Sequence, residues 1–182
     1  MQNSDYRCLA QIFKAVPLRG DDVYVDVGCG EGRTLTYHAS RHFCGKEYGV
    51  ELDPAFAEIA ARRTKRYGNV EIVCGNVLEQ EKVVKEGTAF FLYNPFGREV
   101  LVQFLDMIER EHGSGVPENM PEAGSDDRCV RLYYFCYYFR SELDERENWH
   151  IIWRGMTVRR PFRDLPVTIY EYRLLFLGSH SH

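Results

Sequence analysis

Apolar positions along the chain alternate between two spacings, one typical of strands and one typical of helices. Short apolar runs predict buried strands at 23–27, 47–52, 70–76 and 88–94. Helical spacing marks residues 6–16, a helix that begins near Arg33, and the set Leu101, Phe104, Leu105 and Ile108. Strands that alternate with helices, without an internal repeat, are typical of an α/β protein.

The second predicted strand is followed by a helix start signal. Asp53 can cap a helix through its side chain, and Pro54 suits the first turn, where an N–H has no partner within the helix. We expect Phe56, Ile59 and Ala60 to form the stripe of this helix that faces the core.

The C-terminal half adds three strands. Residues 129–139 form a long apolar run that fits a central strand, and residues 149–158 and 167–177 are typical of a terminal hairpin. Before these strands, the segment 111–127 is rich in Gly, Pro and acidic residues and predicts a flexible surface loop. The fold class is therefore predicted as a doubly wound, mostly parallel seven-stranded sheet with an antiparallel C-terminal hairpin.

Composition narrows the class of protein. A chain of 182 residues with 45% hydrophobic content has the size of one globular domain, which we expect to span 1–182 with an N-terminal helix in 1–20. The net charge of −4 gives no global basic field for nucleic acid or an anionic membrane. Six scattered cysteines without a C-x-x-C pair, and no apolar stretch of membrane-spanning length, favour a reduced cytoplasmic protein.

The stretch DVYVDVGCGEGRTL, residues 22–35, places Gly28, Gly30 and Gly32 after the first strand. Glycines let the strand-to-helix turn bend sharply and allow a ligand to touch its backbone. The dinucleotide-binding fingerprint is G-x-G-x-x-G, whereas this chain has D-x-G-x-G-x-G. The carboxylate of Asp26 suits an ammonium group, which favours an amino-acid nucleoside as ligand. A tight turn without any ligand is the alternative.

The segment from Val23 to about Gly97 resembles the class I S-adenosyl-L-methionine-dependent methyltransferases. The resemblance implies S-adenosyl-L-methionine as cofactor, with its methionine part cradled by Asp26 and the three glycines, and both ribose hydroxyls bound by Glu51. Asn76 stands where the family usually has Asp. Its amide oxygen can still accept from the adenine amino group, and the Val77 N–H can serve the ring.

The stretch FLYNPFG, residues 91–97, resembles the Asn/Asp-Pro-Pro-Tyr/Phe motif of methyltransferases that act on planar amino groups. The resemblance implies that the Asn94 side-chain oxygen and the following backbone carbonyl accept hydrogen bonds from the substrate nitrogen. The catalytic set is then Asn94, Pro95 and Phe96, although the second proline of the motif is missing. The stretch is also similar to the Asn-rich loop of non-SET histone lysine methyltransferases. A turn that only initiates the next helix is the alternative.

These resemblances imply N-methylation of a protein side chain, either lysine or amide. A short helix before the first strand and the lack of a long insertion favour an open site for a macromolecule. A small-molecule methyltransferase, with the N-terminal helix and the 111–127 loop closing over its substrate, is the second hypothesis. A non-catalytic methyltransferase-like subunit is the third.

Other candidate residues have simpler interpretations. His38 and His42 have a spacing that permits metal binding, but no third ligand is near, so a helix face is expected. His150 fits an edge position and is a weak candidate for a general base. Residues 61–66, ARRTKR, fit the solvated end of a helix, and 159–163, RRPFR, fit a local anion or partner patch. We expect the tyrosines of 133–138 to lie mostly in the core, and Tyr93 and Tyr170 to line the mouth of the site.

Overall fold

The computed structural model describes residues 5–41, 43, 45–113, 129–135, 138–157 and 165–172. Its strands are β1 (Tyr24–Val27), β2 (Glu47–Glu51), β3 (Val70–Cys74), β4 (Ala89–Tyr93), β5 (Val130–Phe135), β6 (Trp149–Thr157) and β7 (Leu165–Tyr172). Its α-helices are α1 (Tyr6–Ala15), α2 (Arg33–Ala39), α3 (Pro54–Thr64), α4 (Glu81–Glu86), α5 (Arg98–Gly113) and α6 (Ser141–Asp144). A 3₁₀ turn spans Val77–Glu79.

The strands form one sheet in the order β3-β2-β1-β4-β5-β7-β6. The pairs from β3 through β5 are parallel, whereas β7 runs antiparallel to both β5 and β6. The predicted fold class is confirmed, including the terminal hairpin and the interior position of β5. Strands β1 to β3 are added in one direction across the sheet and β4 and β5 in the other, so the strand order reverses between β1 and β4. Doubly wound sheets bind ligands at the carboxyl ends of the strands at such a switch point.

Alternation along each strand sends successive side chains to two separate hydrophobic cores. On one face, α1, α2 and α3 bury Leu9, Ile12, Leu35 and Ala60 against strand residues that include Tyr24. On the other face, α4 and α5 pack against strand residues that include Val25. The four predicted core positions of α5, Leu101, Phe104, Leu105 and Ile108, are all fully buried. The described part of the chain contains no helix long and apolar enough to cross a membrane.

The predicted start of α3 is confirmed, because Asp53 caps the helix by accepting from the Ala55 N–H at 2.8 Å. The predicted core stripe is only partly right. Ala60 is buried, but Phe56 and Ile59 are half-buried, and the buried positions are Ala57, Ala60 and Thr64. Gly32 lies against two of these positions, since a Cβ atom placed on it would lie 3.2 Å from Ala60 Cβ and 3.6 Å from Thr64 Cγ2.

The segment between α1 and β1 is anchored at the amino-terminal edge of the sheet by a buried ion pair. Arg131 donates to the Asp22 carboxylate at 2.6 Å and to the Pro17 carbonyl at 2.8 Å. The same carboxylate accepts from the Thr88 hydroxyl at 2.9 Å and from the Arg19 N–H at 2.6 Å. This network fixes the segment between α1 and β1 at the edge of the sheet opposite the expected ligand crevice.

The predicted 111–127 loop begins later than expected, because α5 continues as a helix to Gly113. Residues 114–128 lie outside the described part of the chain.

Candidate functional site

The turn after β1, residues 28–32, forms a cradle of backbone that we call the glycine cradle. Gly28, Gly30 and Gly32 have φ values of 74°, 55° and 72°, in the left-handed region that favours glycine. The N–H groups of Gly28 and Cys29 donate to the Val50 carbonyl at 2.9 and 3.1 Å. These bonds fix the turn against the end of β2.

Glu51, the last residue of β2, binds one backbone N–H of the cradle and one at the start of α3. Its Oε2 accepts from the Gly30 N–H at 2.7 Å, and its Oε1 accepts from the Asp53 N–H at 3.0 Å. Each carboxylate oxygen has a further acceptor site. The side chain is therefore oriented before any ligand binds and can still accept from a vicinal diol.

Asp26 lies beneath the cradle and is almost completely buried, with 3% of its surface exposed. Its Oδ2 accepts a hydrogen bond from the Thr34 hydroxyl in the first turn of α2. Burial raises the pKa of the Asp26 carboxyl to about 7, while the Thr34 hydrogen bond lowers it and the charge of Glu51 raises it. Sequence analysis missed Thr34. A hydroxyl residue in the helix turn that follows a glycine cradle is the signal that marks it.

The turn after β4 combines strain with an unpaired acceptor. Asn94 has a φ of 47°, which is uncommon for a residue other than glycine. Its Oδ1 is buried and has no hydrogen-bond partner. Native structures rarely leave such a group unpaired, and strained residues cluster at functional sites.

Pro95 brings this turn into direct contact with the glycine cradle. A Cβ atom placed on Gly28 would lie 2.7 Å from the Pro95 Cβ, which is closer than van der Waals contact allows. The next residue, Phe96, is half-buried and packs edge-to-face on Phe104 of α5, with 5.8 Å between ring centroids. The Asn94 turn is thus held between the cradle and α5.

Asn76 and Val77 follow β3 at the same edge of the sheet. Asn76 caps the 3₁₀ turn, because its Oδ1 accepts from the Leu78 N–H at 3.1 Å, and Val77 is buried. The Gly75 N–H donates to the Glu51 carbonyl at 2.8 Å, which links the end of β3 to that of β2. The amide oxygen predicted to meet a ligand therefore already holds the backbone of this turn.

Part of the basic segment 61–66 also supports the cradle. Arg63 donates to the Glu31 carbonyl at 2.8 Å and to its carboxylate at 2.9 Å. This ties the glycine turn to α3, so Arg63 is not simply a solvated helix end. Sequence analysis missed this contact, because the two residues belong to different elements.

The other predicted candidates lie elsewhere. Tyr93 is half-buried and packs on Phe135, with 4.4 Å between ring centroids. Tyr170 is completely buried and donates to Asp144 Oδ1 at 2.9 Å, so the prediction that it lines the mouth is wrong. His150 is half-buried on β6, which is an edge strand among the strands that the structure describes. His42 and the patch 159–163 lie outside the described residues.

His38 is buried on α2 among aromatic rings. Burial, and then the charge of Arg41, lower the pKa of its imidazole to about 3. The residues that the structure describes contain no group of three or more side chains suited to hold a metal ion.

Comparison with known proteins gives a family match over part of the chain. Residues 25–105 match the family described as a methyltransferase domain. This match includes the cradle, Glu51, Asn76 and the Asn94 turn. No curated protein sequence gives a match.

Three solved structures illustrate the similarity of fold. An RNA methyltransferase from Salinibacter ruber in complex with S-adenosyl-L-homocysteine is 17% identical, with a TM-score of 0.60, covering 94% of this chain and 92% of that one. The putative methyltransferase yhhF from Escherichia coli is 16% identical, with a TM-score of 0.65 and coverages of 96% and 90%. A TehB-like SAM-dependent methyltransferase from Corynebacterium glutamicum is 16% identical, with a TM-score of 0.63 and coverages of 94% and 90%.

The resemblance drawn from the sequence is confirmed over residues 25–105, which match a methyltransferase-domain family. The solved methyltransferase structures share the fold of the chain.

Substitution of Gly28 tests the contact between the glycine cradle and Pro95 of the turn after β4. Gly28→Ala should lower the free energy of unfolding by about 2–3 kcal/mol, because the new Cβ meets Pro95 and the residue has a positive φ. Gly68→Ala is the control, since a Cβ there meets nothing within 4 Å, and it should change stability by less than about 1 kcal/mol. Urea unfolding measures both. Equal stabilities of the two variants would contradict the contact.

Proposed function

We propose that this protein binds S-adenosyl-L-methionine at the carboxyl edge of β1, β2 and β3, and methylates a substrate nitrogen at the end of β4. The observation that carries the proposal is Asn94. Its buried Oδ1 lacks a partner, and its backbone is held in a strained conformation beside the glycine cradle. The complex of the Salinibacter ruber enzyme with S-adenosyl-L-homocysteine supports the choice of cofactor.

The residues present fit this cofactor. The glycine cradle offers backbone to the methionine part, with Asp26 below it for the ammonium group, and Glu51 has spare acceptor sites for the two ribose hydroxyls. Asn76 and Val77 would meet the adenine. Because Asn76 Oδ1 already accepts from Leu78, it would have to share that oxygen with the adenine amino group. We therefore expect this contact to be weaker than that of the usual Asp.

When bound, S-adenosyl-L-methionine supplies a methyl group activated by its sulfonium. Asn94 Oδ1 and the Pro95 carbonyl would accept N–H bonds from the substrate and aim the nitrogen lone pair at that methyl. The bound cofactor would supply its methyl to that nitrogen, with S-adenosyl-L-homocysteine as the leaving group and one proton lost from the nitrogen to solvent. Such a transfer depends chiefly on proximity and orientation, which a rigid pair of acceptors provides.

For the substrate, we propose a nitrogen on a protein side chain, either lysine or amide. The support is the similarity of FLYNPFG to motifs that act on planar amino groups and on lysine, together with the lack of a strong basic character that would hold nucleic acid. A nucleobase amine in RNA is the second candidate, because similar folds include an RNA methyltransferase and an rRNA methylase from Streptococcus thermophilus. Both substrates present N–H groups that the two acceptors can bind.

A labelling experiment separates these substrates. The protein is incubated with methyl-labelled S-adenosyl-L-methionine and cell extract, and the product is then treated with protease, treated with nuclease or dialysed. We expect the label to be in a protein, so that treatment with protease releases it. Release by nuclease favours RNA instead, and label in a dialysable product favours a small molecule. The absence of label above a heat-inactivated control would favour a non-catalytic subunit.

Asn94 should affect turnover without affecting cofactor binding. Asn94→Ala should keep the affinity for S-adenosyl-L-homocysteine within roughly threefold, under about 0.7 kcal/mol. It should slow single-turnover methyl transfer by about 100-fold or more, because one positioning acceptor is lost. Asn94→Gly is the matched variant, since glycine adopts the positive φ without strain. If Asn94→Gly restores full turnover, only the backbone conformation matters and the proposed role of the side chain is wrong.

The raised pKa of Asp26 predicts a pH dependence of binding. The ammonium group of the ligand pairs with the carboxylate form, and at pH values below about 7 most Asp26 carboxyls carry a proton in the ligand-free protein. Affinity for S-adenosyl-L-homocysteine should therefore tighten by about tenfold between roughly pH 6 and pH 8. Titration calorimetry measures it. Asp26→Asn should bind more weakly and with little dependence on pH; an unchanged pH dependence in this variant would exclude Asp26 as its source.

A further inference from the structure

A pocket of about 390 Å³ lies between α1 and α2, at the end of α2 that is farthest from the glycine cradle. Its volume falls within the range of roughly 300–1,000 Å³ that is usual for small-ligand sites. The proposed methyl transfer uses none of the residues that line it. They include aromatic walls, two cations and a buried imidazole.

The walls are aromatic rings that pack on one another. Phe13 of α1 meets His38 edge-to-face, with 4.2 Å between ring centroids, and lies nearly parallel to Tyr37 at 6.2 Å. Phe43 lies 5.8 Å from the His38 ring and packs closely on Gly45. Such walls suit a flat apolar ligand, because aromatic rings prefer offset or edge-to-face contact.

Two exposed cations stand at the rim. The Arg41 guanidinium lies 3.9 Å from the centre of the Tyr37 ring and donates to the Tyr37 carbonyl at 3.2 Å. Lys14 lies in the last turn of α1. Within the described part of the chain, the lining of the pocket contains no carboxylate, and neither Lys14 nor Arg41 forms an ion pair. The rim is therefore complementary to an anion.

The floor of the pocket retains hydrogen-bonding capacity. His38 has 4% of its surface exposed, and neither ring nitrogen has a hydrogen-bond partner. Its Nδ1 lies 3.7 Å from Oε2 of the buried Glu47, beyond hydrogen-bond distance. A neutral imidazole has one donor and one acceptor.

We propose that this pocket binds a small aromatic anion that carries a hydroxyl group. The carboxylate lies at Lys14 and Arg41, the ring lies against Phe13 and Phe43, and the hydroxyl points toward His38. The site is separate from the cofactor cradle, which precedes the other end of α2.

The probe is 4-hydroxybenzoate, and binding is measured by saturation-transfer NMR on the full chain. We expect saturable binding by about 5 mM ligand, and at least tenfold weaker binding of the neutral analogue 4-hydroxybenzamide. Benzoate, which lacks the hydroxyl, should also bind more weakly. Absence of binding, or equal binding of the amide, would overturn the proposal. Equal binding of benzoate would overturn the role of His38.

A pair of double variants locates the site. Lys14→Ala/Arg41→Ala should weaken binding of 4-hydroxybenzoate at least tenfold. Lys65→Ala/Arg66→Ala is the matched control, because it also removes one lysine and one arginine that rests on a tyrosine ring, here Tyr67 at 4.8 Å. The control should bind as the parent does. Equal losses in both double variants would indicate nonspecific attraction to positive charge and overturn the site.

Competition distinguishes this pocket from the cofactor site. Saturating S-adenosyl-L-homocysteine should not displace 4-hydroxybenzoate. Displacement would place the aromatic anion in the cofactor site and overturn the proposal. Since the readout requires no methyl transfer, the result stands whether or not the proposed activity is found.

Discussion

The contact between Gly28 and Pro95 is the constraint on which the rest of the site depends. These residues follow neighbouring parallel strands, in which Val27 pairs with Leu92, and no side chain fits between the two turns. The same contact sets the position of the Asn94 acceptor relative to the cradle. The glycine at position 28 is thus required twice, by its positive φ and by the close approach of the proline ring.

A second constraint, on stability, comes from two buried carboxyl groups, Asp26 and Glu47, on the face of the sheet that packs against α2. Burial, and then the charge of Asp26, raise the pKa of Glu47 to about 9, while burial raises that of Asp26 to about 7. Because both values exceed those of an unfolded chain, these groups reduce stability as pH rises from about 4 toward 9. A ligand cation beside Asp26 would favour its carboxylate form and offset part of this loss of stability. Groups with such shifts are concentrated at functional sites.

Much of the fold could be predicted from sequence, because strands, caps and the glycine turn depend on local pattern. The apolar runs indicated the first four strands, and Asp53 marked the start of α3. Contacts between distant elements could not be predicted. Gly32 lies against Ala60 and Thr64 of α3, and the hydroxyl of the buried Tyr170 donates to Asp144. For the same reason, the hydrogen bond from the Gly30 N–H to Glu51 could not be predicted.

Helix α2 is the element that the cofactor site and the aromatic pocket share. Its first turn holds Thr34 on Asp26, and its last turn presents Tyr37 and His38 to the pocket. Seven residues of α-helix span only about 10 Å, so the two sites lie close together. If occupancy of the pocket changes the affinity for the cofactor, thermodynamic linkage requires the cofactor to change the affinity of the pocket by the same factor.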